Sequence, residues 1–145
     1  MRTCVETLAS RPSSMPEVTP KASLQYRVPY ADTDQMGFVY YANFLVYFER
    51  SRNEILRDLG IPYVELEERG VILPVLEAHC EYRLPAKYDD ILKIVGWGEI
   101  VGKARIKCHA EVWRGEELLA SGYTVHACLD KKTLRPVRVP SEIFG

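Results

Sequence analysis

Between positions 30 and 43 the chain reads Y-A-D-T-D-Q-M-G-F-V-Y-Y-A-N. Asp32 and Asp34 stand two residues apart, then come Gly37, Phe38, a tyrosine pair and Asn43. A carboxylate in such a place can take a proton, attack an electrophilic carbon, or tie a loop by accepting N–H groups. A helical pattern begins at Asn43, so the exposed N–H groups and positive end of a helix lie beside these acids. Such an end favours an anion or a polarised oxygen. Asn43 itself is suited to cap that helix. Gly37 allows either a turn or a close approach of backbone to a ligand.

Other reactive side chains are placed less tellingly. His79 and His126 lie in apolar strand-like runs and His109 on a polar strand face, with no pair spaced as a metal site. No metal is therefore expected. Serine catalysis has no G-x-S-x-G to support it. The four cysteines, Cys4, Cys80, Cys108 and Cys128, are scattered without a C-x-x-C, and read as reduced thiols. That points to the cytoplasm. Glu49 is expected to pair with Arg52 or Asn53 at helical spacing. Lys131, Lys132, Arg135 and Arg138 form a basic cluster near the end of the chain, which is either a solvated turn or a phosphate-holding patch.

The elements that must position the acids follow from periodicity. Residues 1–20, rich in Pro, Ser and Thr, carry no periodic pattern and read as an arm outside the fold; residues 21–145 read as one domain. Leu24, Tyr26 and Val28 alternate as in a strand that ends near Pro29. Phe44, Phe48, Ser51, Ile55 and Leu59 make a helical stripe that Tyr47 and Leu56 widen, with Arg50, Arg57 and Asp58 opposite. Gly60 and Pro62 stop that helix, and residues 63–70 suggest a helical turn. Strands are expected over Val71–Leu84, Ile91–Val101, Lys103–Trp113 and Leu118–Leu129, with Gly96 and Gly98 marking a bulge or bend. One long helix covering an antiparallel sheet is an α+β arrangement. The sheet edges left over are most simply hidden by self-association.

Composition narrows the function classes. With 145 residues the chain is one domain. Its 19 basic and 20 acidic residues give a net charge of −1, without the basic excess of a nucleic-acid binder. No apolar run approaches the roughly 20 residues of a membrane helix, and the N-terminus lacks the apolar core of a signal peptide.

The segment Y-A-D-T-D-Q-M-G-F-V-Y-Y-A-N-F-L-V-Y-F-E-R-S-R, with L-P-A-K-Y-D-D and A-S-G-Y-T-V-H-A-C-L-D after it, resembles the small bacterial acyl-CoA thioesterases of the 4-hydroxybenzoyl-CoA thioesterase type. The likeness runs over about residues 22–140 and is nearest to the branch often encoded beside the tol–pal genes. It implies a hotdog fold, a sheet wrapped around a central helix, in dimers and often dimers of dimers with active sites at the subunit interface. It implies an acyl-CoA substrate, with coenzyme A as part of the substrate and no separate cofactor. By the same resemblance Asp34 is the base or nucleophile, the backbone N–H of Tyr41 polarises the thioester carbonyl, and Gly37 lets substrate approach. Many relatives have histidine where this chain has Tyr41, so no imidazole role carries over. Phe38, Asn43 and Tyr47 are expected on the substrate, with Phe44, Phe48 and the Val71–Leu76 strand around the acyl group and Lys131 and Lys132 toward the phosphates. Asp32 is read as holding the loop by accepting backbone N–H groups. The competing readings are a non-catalytic acyl-thioester binding module and a hotdog dehydratase or hydratase, the latter needing a histidine near the helix.

Overall fold

The apolar stripe that starts at Phe44 becomes helix α1, Asn43–Asp58. It buries Phe44, Tyr47, Phe48, Ser51, Ile55 and Leu56 and turns Arg50, Arg57 and Asp58 outward. The computed structural model describes residues 21–144. The expected arm over residues 1–20, its Cys4, and the final residue of the expected domain lie outside the described residues.

Five antiparallel strands carry α1 on one face: β1 (Ala22–Arg27), β3 (Val75–Tyr82), β4 (Ile91–Gly102), β5 (Arg105–Arg114) and β6 (Glu117–Ala127), in the order β1-β4-β5-β6-β3. Strand β2 (Val71–Ile72) instead pairs with β7 (Leu129–Asp130) in a separate ribbon. The single strand expected over Val71–Leu84 is thus two, divided at Leu73–Pro74, where proline has no N–H to give a ladder. The turn expected after Pro62 is a short helix, α2, Tyr63–Glu68.

Alternation decides which residues meet the helix. Ile106, Cys108, Ala110 and Val112 on β5 and Leu92 and Ile94 on β4 are buried. Leu92, Ile94, Ala110 and Val112 form one core cluster with Phe44, Tyr47 and Phe48 above them. Ile106 and Cys108 join Leu56, Ile61, Leu66, Leu73, Cys128 and Ile143 in a second at the other end of the helix. Each such Val, Leu, Ile or Phe side chain contributes about 1.5–3 kcal/mol relative to exposure. Cys80, Cys108 and Cys128 are free thiols.

Gly96 and Gly98 do not mark a bulge. The β4–β5 register runs unbroken through both and shifts only between Ile100 and Gly102. A methyl group on Gly96 would overlap the Ser51 hydroxyl, so its smallness lets helix and sheet approach closely. The far edge of the sheet is β3, which has β6 on one side, no strand on the other among the described residues, and mostly exposed residues.

Candidate functional site

The loop between β1 and α1 is a short hairpin built around Asp34. The Asp34 N–H donates to the Phe38 carbonyl at 2.8 Å and the Gly37 N–H to the Asp34 carbonyl at 2.9 Å. Gly37 sits at φ +86°, a conformation that L side chains disfavour. The Asp34 carboxylate accepts the Met36 N–H at 2.9 Å and the Phe38 N–H at 3.4 Å, both on Oδ1. Its second oxygen has no hydrogen-bond partner among the described residues. The side chain is therefore held by one oxygen and free at the other.

Asp32 is held differently. One carboxylate oxygen accepts the hydroxyls of Tyr26 at 2.7 Å and Tyr47 at 2.8 Å. Its carbonyl accepts the Tyr40 N–H and the Asn43 side-chain amide, at 2.8 and 2.9 Å. The loop-holding role expected for Asp32 thus runs through phenols for its side chain, not through backbone N–H groups. Burial first, and then the bond to Asp32, pushes the Tyr26 hydroxyl up to about 12 and raises Tyr47 in the same sense. Both stay protonated donors at neutral pH. The half-buried Tyr26 ring and the buried Tyr47 ring pack 5.0 Å apart near the start of the helix.

The start of α1 is not capped as expected. Ala42 holds the cap position and has no polar side chain to offer, while Asn43 is already the first helical residue and donates its amide N–H to the Asp32 carbonyl. The N–H groups of Asn43, Phe44 and Leu45 reach the carbonyls of Tyr40, Tyr41 and Ala42. The Tyr41 N–H has no acceptor among the described residues. Tyr82 donates its hydroxyl to the Tyr41 carbonyl at 2.9 Å, tying this turn to the end of β3.

Between these elements lies a cleft of about 310 Å³ lined by Asp34, Met36, Phe38, Val39, Tyr41, Phe44, Tyr82, Arg83, Leu84 and Pro85. Phe44 and Tyr82 meet edge to face at 5.3 Å, and Tyr41 and Tyr82 at 6.3 Å. Asp34, Phe38 and Tyr41 are brought together here, with Gly37 in the same turn. Tyr47 and Phe48 are core, 1% and 3% exposed, and Asn43 is tied to Asp32. The far end of β3 builds the wall, in place of the expected Val71–Leu76. Lys131 and Lys132 sit in the turn after β7, where their backbone N–H groups bond to Gly70 and Asp130. Neither lines this chain's cleft.

The remaining acids and bases lie elsewhere. His79, His109 and His126 do not line the cleft. His126 is fully buried, with Nδ1 2.8 Å from the Leu73 carbonyl and Nε2 2.8 Å from the Thr124 hydroxyl. Burial brings its pKa down to about 4. Glu49 makes no ion pair with Arg52 among the described residues; Arg52 instead donates to Thr124 at 3.3 Å. Among the described residues no cluster of His, Cys, Asp or Glu is arranged to hold a metal, and no helix is long and apolar enough to cross a membrane.

The wall residues Tyr82 to Pro85 were not expected at the site. Leu84 and Pro85 fall inside the L-P-A-K-Y-D-D segment, which marks the likeness without saying what it lines. The arrangement can hold an apolar or aromatic group between rings while a carboxylate oxygen and a helix-end N–H stand beside its polar end.

The family model described as the thioesterase-like superfamily matches residues 28–144. The chain is 34% identical over 122 residues to the acyl-CoA thioesterase YbgC of Haemophilus influenzae, a match covering 83% of this chain and 90% of that protein. It is 30% identical over 120 residues to the acyl-CoA thioester hydrolase YbgC of Escherichia coli, covering 82% and 90%. The DHNA-CoA thioesterase from Staphylococcus aureus superposes with a TM-score of 0.77 at 28% identity, over 81% of this chain and 80% of that one. The architecture found is the expected α+β hotdog arrangement, an antiparallel sheet around one main helix.

Proposed function

The chain belongs to the thioesterase-like superfamily, a family of thioester hydrolases, and on that premise we propose that it hydrolyses an acyl-CoA thioester to the free acid and coenzyme A. We place it with the 4-hydroxybenzoyl-CoA thioesterase type and the tol–pal-associated branch, on the D-T-D-Q-M-G-F-V-Y-Y segment. The observation that carries the reading is the Asp34 carboxylate, fixed through Oδ1 and unpartnered at its other oxygen, on the wall of an aromatic cleft.

The chemistry needs few parts. The acyl group lies among Phe38, Phe44 and Tyr82, with the thioester carbonyl toward the Tyr41 N–H. A donor so placed is typically worth about 2.7–4 kcal/mol in the transition state. Asp34 then acts in one of two ways. As base it takes a proton from water while the water oxygen bonds to the carbonyl carbon, the C–S bond breaks, and coenzyme A leaves as its thiolate. As nucleophile its free oxygen bonds to that carbon, the thiolate leaves, and water opens the resulting anhydride. Single-turnover hydrolysis in ¹⁸O-water tests the second route, since label enters the Asp34 carboxylate only when water opens the anhydride at the aspartyl carbonyl. Neither route needs a cofactor.

The phosphates of coenzyme A carry negative charge to the cleft mouth, where Arg83 stands. Lys131 and Lys132 reach them only from an adjoining protomer. We take the working unit to be a homodimer, paired into a tetramer, acting in the cytoplasm, with no nucleic-acid partner. The free β3 edge is the surface such pairing would use.

A panel of acyl-CoA and acyl-carrier thioesters, read by released thiol, tests the proposal. Asp34→Asn should lower turnover by about 10²–10⁴-fold while circular dichroism shows an unchanged fold. Near wild-type turnover in that variant removes Asp34 from the mechanism. Failure of the wild-type chain to hydrolyse any thioester favours the acyl-thioester binding module.

A further inference from the structure

The cleft beside Asp34 divides by burial into a mouth and a floor. Met36 and Tyr41 are 74% and 61% exposed, and the exposed Arg83 stands with them. Val39 and Phe44 lie at the floor, 6% and 3% exposed. The polar side chains of the lining gather toward the mouth and the reacting end. The Tyr82 hydroxyl belongs to that end as well, since it donates to the Tyr41 carbonyl at 2.9 Å.

The floor and its walls have no such groups to offer. Phe38, Val39, Phe44, Leu84 and Pro85 are apolar in their side chains, and their backbone N–H groups are committed. Those of Phe38, Val39 and Phe44 reach Asp34 Oδ1, the Ala86 carbonyl and the Tyr41 carbonyl at 3.4, 2.8 and 3.2 Å. The Leu84 N–H reaches the Leu119 carbonyl at 3.1 Å. Proline has no N–H to give, and the Pro85 carbonyl already accepts Arg114 at 3.1 Å. A hydroxyl carried down to this floor loses its water and gains no side-chain partner, which is unfavourable.

The rings around the floor stand at right angles. Phe44 and Tyr82 are 5.3 Å apart at 88°, and Tyr41 and Tyr82 are 6.3 Å apart at 85°. A ligand ring among Phe38, Phe44 and Tyr82 meets faces and edges together, the arrangement that aromatic pairs favour. Each such pair contributes about 2- to 12-fold beyond the area it buries. A saturated ring of the same size buries similar area but has no ring quadrupole to align. We propose that the acyl group this cleft selects is aromatic and carries no hydroxyl on its ring. The proposal rests on the thioester hydrolysis inferred above and adds to it the class of acid released.

Three coenzyme A thioesters test it: phenylacetyl, cyclohexylacetyl and 4-hydroxyphenylacetyl. In each a methylene separates the ring from the carbonyl, so ring chemistry barely alters the intrinsic reactivity of the thioester. For the wild-type chain, kcat/KM for phenylacetyl should exceed that for cyclohexylacetyl by about 5-fold or more. It should exceed that for 4-hydroxyphenylacetyl by about 10- to 100-fold. Equal values for the first two, or for the first and third, overturn the proposal and leave the hydrolase standing, as does hydrolysis confined to open-chain acyl groups. Failure to hydrolyse any thioester overturns the hydrolase and the acyl class with it. Two variants locate the preference. Tyr82→Phe and Tyr82→Leu both lose the bond to the Tyr41 carbonyl and should turn over more slowly. Only Tyr82→Leu loses the ring, so it alone should lower the phenylacetyl-to-cyclohexylacetyl ratio, by about 2-fold or more. An unchanged ratio in Tyr82→Leu means that the rings of this cleft do not select the acyl group, and overturns the proposal.

Discussion

Tyr47 donates its hydroxyl to Asp32 at 2.8 Å, and Tyr26 reaches the same carboxylate oxygen at 2.7 Å. One acid thus joins the first strand, the helix and the loop that presents Asp34. Of the two aspartates in D-T-D, the first is a tie and the second faces the cleft.

Tyr47→Phe removes one of the two phenols and leaves Tyr26 in place. The expected loss of stability is about 1–2 kcal/mol, read from the urea midpoint. Because the loop is less firmly aimed, kcat should fall several-fold with a smaller change in KM. A KM change alone would mean that Tyr47 touches substrate and does not position the loop.

Asn43→Ser distinguishes a tie from a cap. Serine is among the best N-cap residues, so a capping role would survive the exchange. The contact observed is with the Asp32 carbonyl at 2.9 Å, which a serine side chain is too short to span. Asn43→Ser should therefore destabilise the protein about as much as Asn43→Ala, by roughly 1 kcal/mol. Wild-type stability in the serine variant would restore the capping role.

His126 makes stability depend on pH. Its pKa is about 4 in the folded chain against an ordinary value of 6.5, and the nearest charge, Arg52, acts in the same direction as burial. Between these values the unfolded chain binds a proton that the folded chain refuses. Its contribution is therefore fully present above about pH 6.5 and is lost as pH falls toward 4, by up to about 3 kcal/mol. Urea midpoints at pH 7 and pH 4.5 should differ in the wild type and differ less in His126→Gln. Equal differences in the two proteins would exclude His126 as the source.

Arg83 lines the cleft with a side chain that is 51% exposed and, among the described residues, has only a 3.4 Å contact with Glu81. Arg83→Ala should raise KM for an acyl-CoA by about 3- to 10-fold and flatten the dependence of KM on salt. The same substrate without its phosphates should be indifferent to the change. An unaltered salt profile would place the phosphates elsewhere, with Lys131→Ala plus Lys132→Ala the next variant to measure.

The helix, its buried face and the strand alternation were legible because they rest on local periodicity that packing did not override. The turn at Gly37 was legible for the same reason. What stayed hidden was where long-range partners would fall. Tyr82 to Pro85 reach the cleft only because β3 ends beside the loop, more than 40 positions away in the chain. Asn43 has the residue type of a cap, but it falls one place inside the helix and its amide N–H ties the Asp32 carbonyl. Glu49 and Arg52 have the spacing of an intrahelical pair, yet Thr124 holds the guanidinium. Pattern names the side chain and its face; the third dimension chooses its partner.

The hydroxyl of Tyr82 holds the Tyr41 carbonyl, while its ring forms part of the wall that would receive the acyl group. On the proposed mechanism, acyl selectivity and catalytic power are therefore mechanically coupled at a single position. Any attempt to reshape this enzyme for bulkier acids by trimming Tyr82 also releases the turn that carries the Tyr41 amide, the group proposed to polarise the carbonyl. Enlarging the cavity from Leu84 or Met36 leaves that anchor untouched and is the more promising route for redesign.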